Sequence, residues 1–326
     1  MALLIHGLGR VPHFALNRLM EISTILDLLA NALVAGIMLG GFYAAVSIGI
    51  SISFGMLDIA NISHPAMIML GSFMAYLINS HWGLDPLLIM LLIAPLFGVL
   101  GMGIYRVYFQ LFESREKDPR RGLAFFFGLL FVTDVLLILF FGADLRGVET
   151  SYVDKVLNFG VVGIPLRLLI PFFIGVLVVL CMHLFLTRTF FGLAVAAVSQ
   201  EPLGLRLMGV DPVRVKQIAF GLSVATAALG GAALIIIQPV EPALGREYIG
   251  RVFAVCVLGG MGSMSGTLFA AILLGVAESL TSTFLGPSWS PTVAFGILLF
   301  TLALRPAGLM GRNCCPHRIC AFISAS

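Results

Sequence analysis

Apolar stretches of about 20 residues recur along almost the whole chain, and each is long enough to cross a hydrocarbon core of about 30 Å as a helix. They run at about 28–53, 61–78, 87–105, 122–142, 166–187, 218–237, 251–284 and 291–304. Only 11% of the 326 residues are charged, against about a quarter in a soluble domain. A soluble α/β fold with buried parallel strands would need short strands separated by charged helices, and no such alternation occurs. Period-2 alternation is also missing, which excludes a membrane barrel. The pattern predicts an all-α polytopic membrane protein of about eight or nine transmembrane helices. One of them is broken, because the 251–284 run exceeds a single span and carries "GGMGSMSG".

Lysine and arginine set the orientation. Of the 19 in the chain, twelve fall in the 106–121 loop, the 188–216 loop and the tail after residue 304. Five (Arg146, Lys155, Arg167, Arg246 and Arg251) fall in the alternate loops. The basic loops and the tail are therefore read as cytoplasmic, while the side of the N-terminus stays open. The chain divides into an N-terminal arm over 1–22, a transmembrane domain over 23–311 and a cytoplasmic tail over 312–326.

The 188–216 loop is patterned rather than random. Ala194 to Ser199 can start a short helix, and Pro202 restarts the chain. Gly209 can end a turn at positive φ, and Asp211-Pro212 supplies an N-cap and a first-turn proline for the next helix. A short helix across this face suits docking on a soluble partner; an ordinary amphipathic loop is the simpler alternative.

Here the residues carry a resemblance. "FFGLAVAAVSQEPLGLRLMGVDPVRVKQIAF" resembles the cytoplasmic coupling loop of ABC-importer permeases of the branched-chain amino-acid (Liv-type) family. Gly192, Ala197, Glu201, Gly209, Val210 and Lys216 fall on that family's pattern, whereas Leu193 stands where Arg is usual and Gln200 replaces the first of two acids. "FGMLDIANISHPAMIMLGSFMAYL" is similar to the family's first-helix exit through Asn61, His64, Met69 and Gly71, with Ser63 and Pro65 in place of Ala and Gly. "FAVCVLGGMGSMSGTLFAAILLGVAESL" resembles its glycine-rich segment and the Leu-Gly-x-x-Glu that follows.

The resemblance implies a permease in a bacterial inner membrane, paired with a homologous second permease subunit. It also implies two cytoplasmic ATPase subunits and a periplasmic substrate-binding protein. ATP and Mg would be used by the ATPases, so no cofactor is expected in this chain, and no nucleic acid is expected as a partner. The ATPase-coupling residues it points to are Gly192, Ala197, Gln200, Glu201, Arg206, Gly209 and Asp211. Candidates for the translocation path are Asn61, His64, Gly259, Gly260, Gly262 and Glu278.

Physical chemistry qualifies several of these. Glycines 259, 260, 262 and 266 serve close helix packing or a discontinuous helix beside the path. In the second case half-helix N-termini would favour a substrate carboxylate. Asn61 and His64 must find partners near a membrane boundary, which reads better as structural hydrogen bonding than as substrate contact. Asp134 and Glu278 are acids inside spans, and a proton-coupled secondary transporter would use such acids. "CCPHRIC" brings Cys314, Cys315, His317 and Cys320 close together, but adjacent cysteines suit one zinc poorly and no second half-site exists, so no metal site is assigned. No Ser/His/Asp set and no His-Glu-x-x-His motif argues for an enzyme. No Gly-x-x-x-x-Gly-Lys-Ser/Thr loop occurs, so energy must come from another subunit.

Overall fold

The computed structural model describes residues 13–113, 119–150, 152–160, 162–305 and 308–310. Most of the expected N-terminal arm, Arg115 and Lys117, and the Cys/His tail lie outside the described residues. Eleven α-helices are described: α1 (His13–Gly55), α2 (His64–Trp82), α3 (Pro86–Tyr108), α4 (Pro119–Phe141), α5 (Leu166–Arg188), α6 (Phe190–Gln200), α7 (Pro202–Leu207), α8 (Pro212–Ile237), α9 (Leu244–Gly259), α10 (Met264–Phe284) and α11 (Ser290–Leu304). One short antiparallel hairpin, β1 (Val156–Phe159) with β2 (Val162–Pro165), completes the described secondary structure, apart from single turns of π and 3-10 helix after α3 and before α11.

Seven of these helices are long and apolar enough to cross a membrane by length and composition: α1, α3, α4, α5, α8, α10 and α11, some extended by an adjoining turn. Packed among them are α2 and α9, which bring the bundle to nine. The polytopic helical class is therefore as the sequence indicates, but several boundaries move. α1 starts at His13, inside the stretch assigned to an arm, and α2 starts only at His64. The 251–284 run is two helices broken at 260–263, and the first of them starts upstream at Leu244. Arg246 and Arg251, counted above as loop positives, are thus inside α9. The reason is local: Arg246, Glu247 and Arg251 depress the hydropathy of a helix of only 16 residues, so its first turns read as loop.

The core forms where helices come within backbone contact. α1 is central and packs on α5, α8, α9 and α10. Against α10 the approach is so close that a Cβ on Gly275 would lie 2.5 Å from the Gly36 carbonyl oxygen and 2.5 Å from the Gly40 nitrogen. Without a hydrophobic driving force between helices in lipid, such close packing is what holds them together. Buried hydroxyls add cross-links: Ser72 Oγ donates to the Gly231 carbonyl at 2.6 Å, and Ser223 Oγ donates to that of Gly49 at 2.7 Å. The faces left outside are leucine- and phenylalanine-rich, as on α3 (Leu91, Leu96) and α4 (Phe131, Leu139, Phe140). Apolar atoms there suit lipid.

At the end opposite the basic loops, the connections are pinned. Asp85 caps α3 by accepting from the Leu87 N–H at 2.9 Å, and Tyr152 donates its hydroxyl to the same carboxylate at 2.9 Å. Burial, and then the hydrogen bond to Asp85 and its charge, push the Tyr152 phenol up, so it stays a donor. Arg146 and Val240 exchange backbone hydrogen bonds at 2.9 and 2.8 Å, tying the α4–β1 connection to the α8–α9 connection.

The α1–α10 contact yields the first expectation. Gly275→Val should lower the unfolding temperature in detergent, at a cost of about 1–3 kcal/mol or more from overpacking. Gly296→Ala, with nothing within 4 Å of its added carbon, should leave the midpoint unchanged. Equal midpoints for the two variants would contradict the packing described.

Candidate functional site

Three regions hold the polar residues that the sequence singled out: a helix pair, a buried seam and the α1–α2 connection. The first is the helix pair at the basic end. Thr189 opens it, its Oγ1 accepting from the Gly192 N–H at 3.1 Å to cap α6. Gly192 allows the corner between α5 and α6, because a Cβ there would lie 2.1 Å from the Leu186 carbonyl oxygen. Val195 and Val198 bury the inner face of α6, and Leu205 does the same for α7. Pro202 restarts the chain as α7. Gly209 ends the pair at φ 79°, with the Val210 N–H donating to the Leu205 carbonyl at 3.2 Å. This is a left-handed helix stop of the kind glycine serves. Asp211 then caps α8 through the Val213 N–H at 3.0 Å, with Pro212 in the first turn.

The outward surface of this pair is apolar as well as polar. Phe190 is 92% exposed, and Leu193, Leu203, Leu207 and Met208 are exposed beside it. Gln200, Glu201, Arg206 and Asp211 are exposed too, while Ala197 is half-buried. Sequence reasoning missed how the pair is anchored. Lys216 Nζ donates to Glu113 Oε1 at 2.6 Å, Tyr105 donates its hydroxyl to Glu113 Oε2 at 2.9 Å, and Gln217 donates to the Met102 carbonyl at 3.1 Å. The exit of the loop is thereby fastened to the end of α3.

The second region is a buried polar seam around α1. Glu278 side-chain exposure is 2%, and Arg251 beside it is at 11%. The Arg251 Nε donates to both Glu278 oxygens, at 3.1 and 3.3 Å, and Tyr43 donates its hydroxyl to Oε2 at 2.5 Å. Arg251 also reaches Glu247 at 3.4 Å and lies 5.2 Å from the centre of the Tyr248 ring. Glu278 is thus a saturated acceptor between α1, α9 and α10. Further along the seam Ser51 and Thr267 share a hydrogen bond at 2.8 Å. Asp134, the other acid inside a span, faces Arg246 at 3.6 Å.

Asn61 and His64 are wholly buried in the connection from α1 to α2. His64 Nε2 lies 2.9 Å from the Val46 carbonyl, which can only accept, so that nitrogen carries the proton and Nδ1 is a bare acceptor. Asn61 accepts from Ser63 Oγ at 2.7 Å, while its Nδ2 and His64 Nδ1 have no partner among the described residues. Asp58, at φ 57°, supplies the bend that turns this connection inward.

Gly259, Gly260 and Gly262 form a packed corner at the basic end. Gly260 and Gly262 have φ of 92° and 81°. The segment around Gly308 lies against the corner, Leu309 donating to the Leu258 carbonyl at 2.8 Å and Met310 to that of Gly259 at 3.3 Å. The N-terminus of α10 is capped by Ser263, whose Oγ accepts from the Gly266 N–H at 3.2 Å. The structure therefore gathers Gly259, Gly260 and Gly262 at one place, Asn61 and His64 at a second, and Glu278 at a third.

Removing one partner of a buried ion pair leaves a charge with no counterion and costs about 3–5 kcal/mol. Arg251→Met should therefore destabilise the protein by about that much in a detergent unfolding series. Arg251→Met combined with Glu278→Leu should recover most of the loss. Simple additivity of the two single effects would show that the pair is not coupled.

Comparison with known proteins fits this arrangement. The family described as "Branched-chain amino acid transport system / permease component" matches over residues 32–302. The high-affinity branched-chain amino acid transport system permease protein BraD of Pseudomonas aeruginosa is 28% identical over 296 residues, covering 86% of this chain and 95% of that protein. LivH of Escherichia coli K12, of the same description, is 26% identical over 297 residues, covering 85% of this chain and 94% of LivH. LivM of Salmonella typhimurium, also a permease protein of such a system, is 30% identical over 158 residues, covering 47% of this chain and 37% of LivM. No solved structure gives a significant match.

Proposed function

The chain belongs to the branched-chain amino acid transport permease family, and on that premise we propose that it is the membrane subunit of an ABC importer. It is a multi-pass inner-membrane protein, and its cargo is a branched-chain amino acid or a related small polar solute: another amino acid, an amide or urea. The likeness to both LivH and LivM supports a homologous second permease as its partner. Two ATPase subunits on the basic, cytoplasmic side use ATP and Mg, and a binding protein delivers substrate on the other side. Residues 23–311 form the transport unit, and the chain performs no chemistry of its own.

The observation that carries this reading is the α6–α7 pair. It presents Phe190, Leu203, Leu207 and Met208 outward at the basic end, on two short helices between the end of α5 and the start of α8. Such a knob of apolar side chains on a capped helix suits a groove on a soluble partner. Its exit is held by the Asp211 cap and by the Lys216–Glu113–Tyr105 cluster. A push on the pair is therefore delivered to α8 and α3 together, and α8 packs on α1 and α2. The motor grips the loop, and the helices behind it tilt as a unit. A proton-coupled carrier built on Asp134 and Glu278 gains no support, because both acids already face arginines.

Gly209 provides the test. Nothing lies within 4 Å of a Cβ built there, so a substitution is opposed by backbone conformation alone. A β-branched residue in the left-handed region costs at least about 1–2 kcal/mol, whereas Asn is tolerated. Gly209→Val should reach the membrane but lose copurification with its ATPase and lose uptake, while Gly209→Asn should keep most of both. Arg206→Ala removes one exposed charge, worth at most about 1 kcal/mol, and should weaken association only mildly. Normal transport by Gly209→Val with the ATPase fully bound would reduce the pair to a linker.

A further inference from the structure

Arg246 and Glu247 stand in the first turn of α9, and both side chains are exposed. Their depth follows from contacts. A Cβ on neighbouring Gly245 would lie 3.0 Å from Met69 Cγ and 3.9 Å from Asp134 Oδ1. α4 continues for seven residues beyond Asp134 to Phe141, which is roughly 10 Å of helix. The first turn of α9 is thus sunk about a third of the way along α4 from the end opposite the basic loops.

At that depth a guanidinium does not face lipid alone without a substantial cost. Yet the Arg246 side chain is 63% exposed, while Asp134 is at 5%. The Asp134 carboxylate approaches Nε, the inner nitrogen, at 3.6 Å, and Asp134 is the only hydrogen-bond or ion-pair partner of the Arg246 head among the described residues. Beside Arg246 is Glu247, half-exposed and held on one side by Arg251. The backbone of this turn is not available as an anion site: the Leu244, Gly245 and Arg246 N–H groups donate to the carbonyls of Glu241, Pro242 and Ala243. The side chains are what the turn offers. A guanidinium with donors to spare, next to a half-exposed carboxylate and nearer the end opposite the basic loops, matches a molecule carrying a carboxylate and an ammonium on one carbon.

We propose that Arg246 and Glu247 form a transit site for the zwitterionic head of an α-amino acid, with Arg246 taking the carboxylate and Asp134 acting as a positioning residue that aims it. This rests on the importer reading above and adds which residues read the cargo inside the membrane. A charge-assisted, bidentate contact of this kind is lost with glutamine and largely kept as a charge with lysine.

The experiment uses the complete transporter in proteoliposomes with its binding protein and labelled leucine. Uptake per ATP hydrolysed should fall about tenfold or more in Arg246→Gln, while ATP hydrolysis stimulated by the binding protein continues. Arg246→Lys should restore most of the uptake. In the unsubstituted protein, phenylglyoxal added from the delivery side should modify Arg246, as read by mass spectrometry, and leucine with its binding protein under turnover should slow that reaction. If the unsubstituted complex moves no amino acid, this proposal fails; uptake of an amide or urea instead keeps the importer reading, and uptake of none of these solutes sinks both. If it transports, then unchanged uptake per ATP in Arg246→Gln overturns the site alone. An Arg246 that phenylglyoxal does not reach, or that leucine does not protect, overturns it as well, even should the variants fail to assemble.

Discussion

A full charge pair inside a membrane bundle constrains everything packed around it, and here that pair is Arg251 with Glu278. Neither ion is tolerable at that depth alone. Together with the Tyr43 hydroxyl they satisfy one another across α9, α10 and α1. The pair locks α9 in depth and in rotation. Once locked, α9 has only 16 residues in which to reach the glycine corner at the basic end, so its other end lies below the ends of α2 and α4. The sunken first turn with Arg246 and Glu247 is the consequence.

The basic end is built on the opposite logic. There the polar groups are local: caps, a glycine stop and one cluster around Glu113. They order a short helix pair without burying its outward face. The Lys216–Glu113 contact is partly solvated, so its strength is modest, but with Tyr105 and Gln217 it joins the loop to two long helices at once. Rigid behind and apolar in front, this part suits the push from an ATPase proposed above. The central helix α1 touches both systems, through α8 on one side and through α9 and α10 on the other, which connects a movement of the loop with the polar seam.

What the sequence revealed followed the range of the forces involved. Gly209, Pro202 and the Asp211 cap obey rules that act within a few residues, and they were legible in place. The break near Gly260 was legible because positive φ asks for glycine. The first turns of α9 were not legible as helix, since their charges look like a loop and their stabilisation comes from a partner on α10. Lys216 gave no hint of Glu113, which lies 103 positions away. Asn61 and His64 announced that they needed partners, but only the folded chain shows that His64 uses the Val46 carbonyl. Arg246 drew attention only as a count toward orientation, because hydropathy treats every arginine alike and depth decides what one can do.

The depth of α9 is therefore the point on which the account turns, and a disulfide measures it most directly. A Cβ on Gly245 lies 4.0 Å from the Cβ of Met69, within the range of about 3.5–4.5 Å that a disulfide spans. In membranes holding the assembled protein, Met69→Cys with Gly245→Cys should join under mild oxidation, so that cleavage of the chain between them leaves one linked species. Absence of that link, with Gly245→Cys joining instead to Leu84→Cys in the surface connection after α2, would place the start of α9 at the membrane edge and contradict the account.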